Sequence, residues 1–139
     1  MKLSLIATAA LLALTAPAFA GDAVKGEKEF KKCKACHEIV ADDGTAIVKG
    51  GKTGPNLYGI IGRHAGAVEG FKYSDVMREA GEKGLIWEED VMAEYLPDPT
   101  KFLEDFSGDP KGKSLMTFKL KKGGDDVAAY LASVVPAAN

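Results

Sequence analysis

The ten residues KKCKACHEIV, at positions 31–40, contain both cysteines of the 139-residue chain and one of its two histidines. The cysteines are spaced as Cys33-x-x-Cys36, and His37 follows the second one directly. Three chemistries use such a pair: a redox-active dithiol, half of a zinc site, or the covalent attachment of haem. The remainder of the sequence has to distinguish among these three.

The first twenty residues have the pattern of a secretory signal peptide. Lys2 precedes an apolar run over residues 3–14, and the stretch ends in AFA, a small-x-small cleavage site. The alternative is a membrane anchor, but a spanning helix needs about 20 apolar residues and this run is shorter. We therefore expect cleavage after Ala20, with residues 1–20 removed and residues 21–139 forming one domain in the periplasm.

Capping residues, prolines and apolar residues at helical spacing predict about five short helices. The expected helices run from a cap at Asp22 to about Lys34, from Ser74 or Asp75 to a stop at Gly81, within LIWEEDVMAEYL (85–96) until Pro97, from Asp98-Pro99 to about Asp105, and from Asp125 or Asp126 onward. The Gly-rich residues 41–66 are expected to be mostly loop and turn. The predicted fold is all-α, and its long loops suggest that the chain wraps around something.

The setting of the Cys-x-x-Cys-His motif favours haem attachment. A redox dithiol of the thioredoxin kind lies where a strand enters a helix, whereas this pair ends a predicted helix in an all-α chain. A zinc site needs four ligands, and the only cysteines and histidines are Cys33, Cys36, His37 and His64. Haem attachment requires only two thiols one helical turn apart and a following histidine that ligates the iron. We therefore predict one covalently attached haem c.

Several further segments carry a resemblance to a known family. They stand in the family's order and read KTGPNLYGIIGR, GFKYSD, EYLPDPTKF, MTFKL and DVAAYL. The mature chain resembles class I cytochromes c of the bacterial cytochrome c2 type, kin of the mitochondrial protein, along essentially its whole length. Extra residues before Met116 and between Tyr73 and Trp87 are typical of the larger bacterial members. The resemblance implies the class I cytochrome c fold, wrapped around one haem, and a soluble one-electron carrier rather than an enzyme.

The second axial ligand of the iron decides between an electron carrier and a site open to small molecules. Met92 fits the apolar stripe of a predicted helix, so core packing is expected for it. Met77 is expected to pack against the haem or the core, and His64 to be a solvated surface residue. Met116 lies in a loop, where a buried methionine has no stripe to join, and the resemblance places the thioether ligand there. His37 and Met116 are therefore the predicted axial ligands.

The resemblance also implies a set of residues around the haem. The carbonyl of Pro55 would accept a hydrogen bond from the ring of His37, although Pro55 could simply form a turn. The donors to the propionates would be Arg63, Tyr73 and Trp87. Trp87 could instead be an ordinary core residue whose indole N–H finds another partner.

Two more expectations concern packing around this site. The resemblance implies that Tyr95 packs near Met116, with its hydroxyl close to the sulfur. Met77 stands where mitochondrial relatives have a polar asparagine, which puts a polar network at that point in doubt. Near the N-terminus, Gly26 is expected to let the first helix cross the last at close range, so that Phe30 and Gly26 meet Val127 and Tyr130.

Lysines cluster on both sides of the predicted haem edge, although the chain has a formal net charge of −2. They are Lys31, Lys32 and Lys34, and Lys111, Lys113, Lys119, Lys121 and Lys122. Each alone could be an ordinary solvated lysine. Together they predict a dipole that steers the protein to acidic partner faces, with association rates that depend on salt.

The resemblance implies particular partners for this lysine-rich edge. The donor would be a quinol-oxidising cytochrome bc complex, and the acceptor a photosynthetic reaction centre, a terminal oxidase or a soluble reductase. Nucleic acid is not an expected partner because the chain is acidic and lacks a basic-aromatic motif. The protein is expected to be a monomer that is not embedded in the membrane.

Overall fold

Five α-helices supply most of the regular structure in the computed structural model, which describes residues 21–135. They are α1 (Ala23–Glu29), α2 (Asp75–Glu82), α3 (Glu89–Tyr95), α4 (Pro99–Ser107) and α5 (Gly124–Ser133). Within these described residues, none of the helices has the length and apolar character needed to cross a bilayer. The predicted signal peptide, residues 1–20, lies outside the described part of the chain.

Side-chain caps fix where three of the helices begin. Asp22 accepts the N–H groups of the first turn of α1, Ser74 does so for α2, and Asp98 for α4. Pro99 occupies the first position of α4, where its missing N–H has no helical partner to lose. All three predicted starts are confirmed. α5 begins slightly earlier than expected, at Gly124.

The first and last helices cross at close range, as predicted. A Cβ atom on Gly26 would lie 1.9 Å from the carbonyl oxygen of Asp126, so only glycine lets the two backbones approach this closely. Beside this point the rings of Phe30 and Tyr130 pack with their centroids 5.6 Å apart. Val127 completes the contact and is 1% exposed. This crossing supports one wall of the cavity described below.

The expected end of α2 at Gly81 is wrong. The helix continues to Glu82, and Gly81 is buried inside it. A Cβ atom on Gly81 would lie 1.9 Å from the carbonyl oxygen of Ala65, so this glycine serves close packing against a loop. The positive φ that turns the chain is found three residues later, at Gly84.

One further local expectation needs correction. α1 ends at Glu29 and continues only as a 3-10 turn, Phe30–Lys32, instead of remaining α-helical to Lys34. Residues 41–66 are mostly loop and turn, as expected, and they also contribute strand β2 (Ala46–Val48), which pairs antiparallel with β1 (Ile39–Val40). Strands of two and three residues are too short to show an alternating pattern in the sequence.

Candidate functional site

A cavity of about 560 Å³ lies between the helices and the long loops. Apolar side chains make up most of its wall, among them Phe30, Leu57, Ile60, Leu96 and Leu131. Its volume falls in the range of roughly 300–1,000 Å³ that is usual for cofactor pockets. Cys33, Cys36, His37 and Met116 all line it, so the fold brings the predicted attachment and ligand residues together.

The two cysteines sit on one turn that follows the first helix. The N–H groups of Cys36 and His37 donate to the carbonyl oxygen of Cys33 at 3.1 and 3.0 Å. Cys33 is buried and Cys36 is exposed. Burial raises the pKa of the Cys33 thiol to about 11. Redox dithiols need a lowered thiol pKa, so this environment disfavours the dithiol alternative.

The zinc alternative depends on a fourth ligand, and His64 is the only remaining histidine. His64 is exposed, and its Nδ1 lies 3.2 Å from the carbonyl oxygen of Gly81. It is therefore a solvated surface residue, as expected from the sequence. In the described stretch of the chain, no three His, Cys, Asp or Glu side chains are grouped closely enough to hold a metal ion.

His37 is held in the form that suits an iron ligand. Its Nδ1 lies 2.8 Å from the carbonyl oxygen of Pro55, so Nδ1–H donates and Nε2 is left unprotonated. Burial lowers the pKa of His37, although the hydrogen bond to Pro55 acts in the opposite direction. A neutral imidazole whose second nitrogen is fixed by a carbonyl is the usual metal-ligating arrangement. The residues present therefore fit a covalently attached haem.

Gly54 makes this position of the His37 ring possible. A Cβ atom at Gly54 would lie 2.4 Å from Cε1 and 2.7 Å from Nδ1 of His37, well inside van der Waals contact. A side chain at position 54 would therefore press against the ring that the hydrogen bond to Pro55 holds in place.

Gly54→Ala is accordingly expected to displace the His37 ring and to lower the free energy of unfolding by about 1–3 kcal/mol. The matched control is Gly124→Ala, since a Cβ there meets only ordinary contacts at 3.4 Å or more. Denaturant unfolding of both haem-loaded variants measures the difference, and NMR of the His37 Nδ1–H reports the ring. Equal stability and an unchanged Nδ1–H signal in Gly54→Ala would refute this role of Gly54.

Met116 is half-buried and held in its loop by two polar side chains. Its N–H donates to Ser114 Oγ at 3.0 Å, and its sulfur lies 3.8 Å from the hydroxyl of Tyr95. Tyr95 and Ser114 share a hydrogen bond of 3.3 Å. Burial raises the pKa of Tyr95, which keeps its hydroxyl protonated and able to donate. The structure thus places Tyr95 beside Met116.

Ser114 is the residue of this group whose role the sequence analysis missed. A serine two residues before Met116 can bond the backbone N–H of that residue, and this local pattern was the available signal. Ser114 is itself fixed, because its N–H donates to Thr100 Oγ1 at 3.2 Å. The loop that carries Met116 is therefore anchored to α4.

Met77 and Met92 also line the cavity, and both are buried on helices, α2 and α3. The expectation that they pack into the interior is confirmed. Met116 differs from both because it lies in a loop and has a hydroxyl group next to its sulfur. Of these three methionines, Met116 is therefore the one whose sulfur is oriented by a hydrogen-bonding neighbour.

The three residues expected to contact the propionates are only partly brought together. Tyr73 and Trp87 line the cavity. Arg63 lines a separate polar cavity with Asp42, Asn56 and Glu69, among others, and not the large one. Burial raises the pKa of Tyr73, while the N–H of Val68 and the charge of Arg63 act to lower it. The charge of Arg63 therefore acts on Tyr73, although Arg63 does not line the large cavity.

The cavity opens to solvent at Leu115, Thr117 and Phe118, which we call the open edge. All three line the cavity and are exposed, with Leu115 67% and Phe118 44% exposed.

Every member of the lysine cluster is exposed, and Lys32 also lines the cavity. Two of these lysines have acidic partners: Lys32 binds Glu29 and Lys119 binds Asp98, each at 2.6 Å. The second pair joins distant parts of the sequence and was not foreseen.

Comparisons with known proteins agree with this geometry. No protein-family model matches the chain. The chain is 61% identical over 136 residues to cytochrome c2 of Rhodobacter capsulatus, covering 97% of this chain and 99% of that one. It is 55% identical over 140 residues to cytochrome c-550 of Paracoccus versutus, covering 98% and 91%.

Solved structures give the same result. The structure of cytochrome c2 from Rhodobacter capsulatus superposes with a TM-score of 0.82 at 59% identity, covering 84% of this chain and 100% of the other. Ferric cytochrome c-550 from Paracoccus versutus superposes with a TM-score of 0.78 at 57% identity, covering 81% and 96%.

Proposed function

We propose that this chain, which belongs to the bacterial cytochrome c2 family of class I cytochromes c, is a periplasmic one-electron carrier with a His/Met-ligated haem. The family carries one covalently bound haem c, and Cys33 and Cys36 form its Cys-x-x-Cys-His motif with His37. The observation that carries the proposal is that the motif and Met116 line one apolar cavity with a single fixed histidine tautomer.

The side chains around the cavity have distinct roles in this proposal. Cys33 and Cys36 would hold the haem through thioether bonds, and His37 and Met116 would ligate its iron. When bound, the haem supplies an iron that changes its charge by one electron, and a thioether ligand favours the reduced state. Pro55 fixes the ring of His37, while Ser114 and Tyr95 fix the loop and the sulfur of Met116.

The polar residues of the cavity wall are proposed to bind the propionate groups of the haem. Propionate groups are anionic, and burying an unpaired charge costs much free energy. We assign their donors to Tyr73 and Trp87, which line the cavity wall, and to Arg63, whose charge acts on Tyr73. The apolar remainder of the wall excludes water, and the hydrogen bonds that fix His37 and Met116 would limit the movement of both ligands when the iron gains or loses an electron.

We further propose that the carrier docks through its lysine-rich open edge. The donor is a quinol-oxidising cytochrome bc complex, and the acceptor is a reaction centre, a terminal oxidase or a soluble reductase. The exposed lysines around Leu115 and Phe118 support this, because such a surface complements an acidic face. The carrier works as a monomer, cleaved after Ala20, and does not itself catalyse a reaction on a substrate.

Reduction of the haem-loaded protein by a purified cytochrome bc complex tests the function. We expect fast reduction whose second-order rate falls steeply as salt rises, since the Debye length shortens from about 10 Å at 0.1 M to about 3 Å at 1 M. Reduction by a small uncharged reductant is the control and should change little with salt. Failure to accept electrons from the complex, or a rate unaffected by salt, would argue against the proposal.

A further inference from the structure

The chain segment that follows the open edge is tied to the corner between α3 and α4. The N–H of Leu120 donates to the carbonyl oxygen of Leu96 at 2.9 Å, and Lys121 Nζ donates to that of Pro97 at 3.0 Å. Next to these, Lys119 Nζ donates to Asp98 Oδ2 at 2.6 Å. Three neighbouring bonds therefore hold residues 119–121, and only one of them involves a carboxylate.

The pair of Asp98 and Lys119 differs from the other ion pairs within residues 21–135. Those join residues three or four apart in the sequence, whereas this one joins residues 21 apart. Asp98 uses its other oxygen, Oδ1, to cap α4 by accepting the N–H of Lys101 at 3.2 Å. The hydrogen bonds from Lys119 and Lys101 hold the pKa of Asp98 below its usual range, so the carboxylate is ionised.

Both side chains of this pair can be reached from solvent. The Lys119 side chain is 45% exposed and that of Asp98 is 35% exposed. Lys119 directly follows Phe118, whose ring forms part of the open edge. Lys119 belongs to the lysine cluster for which an acidic partner is expected, yet a carboxylate of the same chain already binds its ammonium group.

We propose that Asp98 is an intramolecular competitor for Lys119 that weakens docking of acidic protein faces at the open edge. The inference rests on the proposed function, because it concerns the same docking surface. A partner carboxylate that shares this ammonium with Asp98 is repelled by Asp98, and one that binds it alone has to exchange with Asp98, so the gain from the new contact is reduced in either case. The loop need not unfold during the exchange, since the bonds of Leu120 and Lys121 to the α3–α4 corner remain.

The Asp98→Asn substitution removes the negative charge that binds Lys119 but keeps a side chain that can cap α4. Asparagine caps helices about as well as aspartate, so α4 keeps its start. The matched control is Asp105→Asn, which removes the same charge and breaks a Lys101–Asp105 pair of 2.8 Å within α4. A general effect of net charge would appear equally in both variants, whereas competition for Lys119 would appear only in Asp98→Asn.

The haem-loaded variants can be titrated with poly-L-glutamate as a model acidic partner, at low salt and at high salt. We expect Asp98→Asn to bind about two-fold to five-fold more tightly than Asp105→Asn, the gain available from an exposed ion pair. The difference should vanish at about 1 M salt. In a Lys119→Gln background the two substitutions should have equal effects, and NMR of the Lys119 ammonium should shift with polyglutamate in the parent chain.

The outcomes separate the two proposals. If the wild-type protein binds polyglutamate but Asp98→Asn and Asp105→Asn bind it equally, the role of Asp98 is wrong while the docking surface stands. A difference that persists in the Lys119→Gln background likewise overturns competition for Lys119. If the wild-type protein does not bind polyglutamate at low salt, the open edge is not an acid-binding surface, and both the docking proposal and this inference fail.

Discussion

The Met116→Leu variant is expected to bind CO after reduction and to have a much lower reduction potential than the wild type. Leucine has nearly the volume of methionine but no sulfur, so the sixth position loses its ligand while the cavity wall is kept. Thioether ligation favours the reduced iron, and axial ligands set haem potentials over a span of roughly 0.8 V. We expect the loss of Met116 to lower the potential by a sizeable part of that span.

Met77→Leu and Met92→Leu are the matched controls for this prediction. Both residues line the same cavity, and both are buried on helices. If only Met116 ligates, these two variants should remain indifferent to CO and keep potentials close to the wild type. Potentiometric titration and visible spectra with and without CO measure all three. A Met116→Leu protein that behaves like its controls would show that another residue fills the sixth position.

The second large effect is expected from removing the covalent attachment. The double substitution of Cys33 and Cys36 by alanine should yield a chain without bound haem and without the native helix content. The physical reason is that the cavity, whose volume is about 560 Å³, would be left without the haem that fills it. At about 24 cal/mol for each Å³, leaving it empty would cost on the order of 13 kcal/mol.

Water that enters through the open edge would lower this cost. Even half of it is comparable with the roughly 5–15 kcal/mol by which folded domains are stable. Far-UV circular dichroism and intact mass measure the helix content and the attached haem. The control is the wild-type chain produced without haem, which should be equally unfolded with its cysteines present. A haem-free chain with native helix content and cooperative unfolding would contradict this account of the core.

The parts of the fold that were predictable depend on contacts between residues close in sequence. Asp22, Ser74 and Asp98 each accept a hydrogen bond from a backbone N–H two or three residues ahead. The start of each of these helices is therefore determined by residues that are close in the sequence. The Cys-x-x-Cys-His motif is likewise contained within one turn. The resemblance to the family added the partners that lie far apart, such as Tyr95 and Met116.

The features that were not predictable are decided by tertiary packing. Gly81 resembles a helix stop in the sequence, but its role is to admit the carbonyl of Ala65, which is sixteen residues away. The side chain of Arg63 lies in a polar cavity beside the expected one. Lys119 stands in a segment without acids, and only the fold brings Asp98 to it. Such contacts leave no pattern in the local sequence.

The most direct test of the central claim is the visible spectrum of the wild-type protein, oxidised and reduced, with and without CO. If His37 and Met116 ligate a covalently attached haem, the spectrum should show sharp low-spin bands of the c type and a weak far-red band from methionine sulfur to Fe(III). The reduced spectrum should then be unchanged by CO. A high-spin spectrum that shifts with CO would contradict the ligation by Met116 and with it the assignment of an electron carrier.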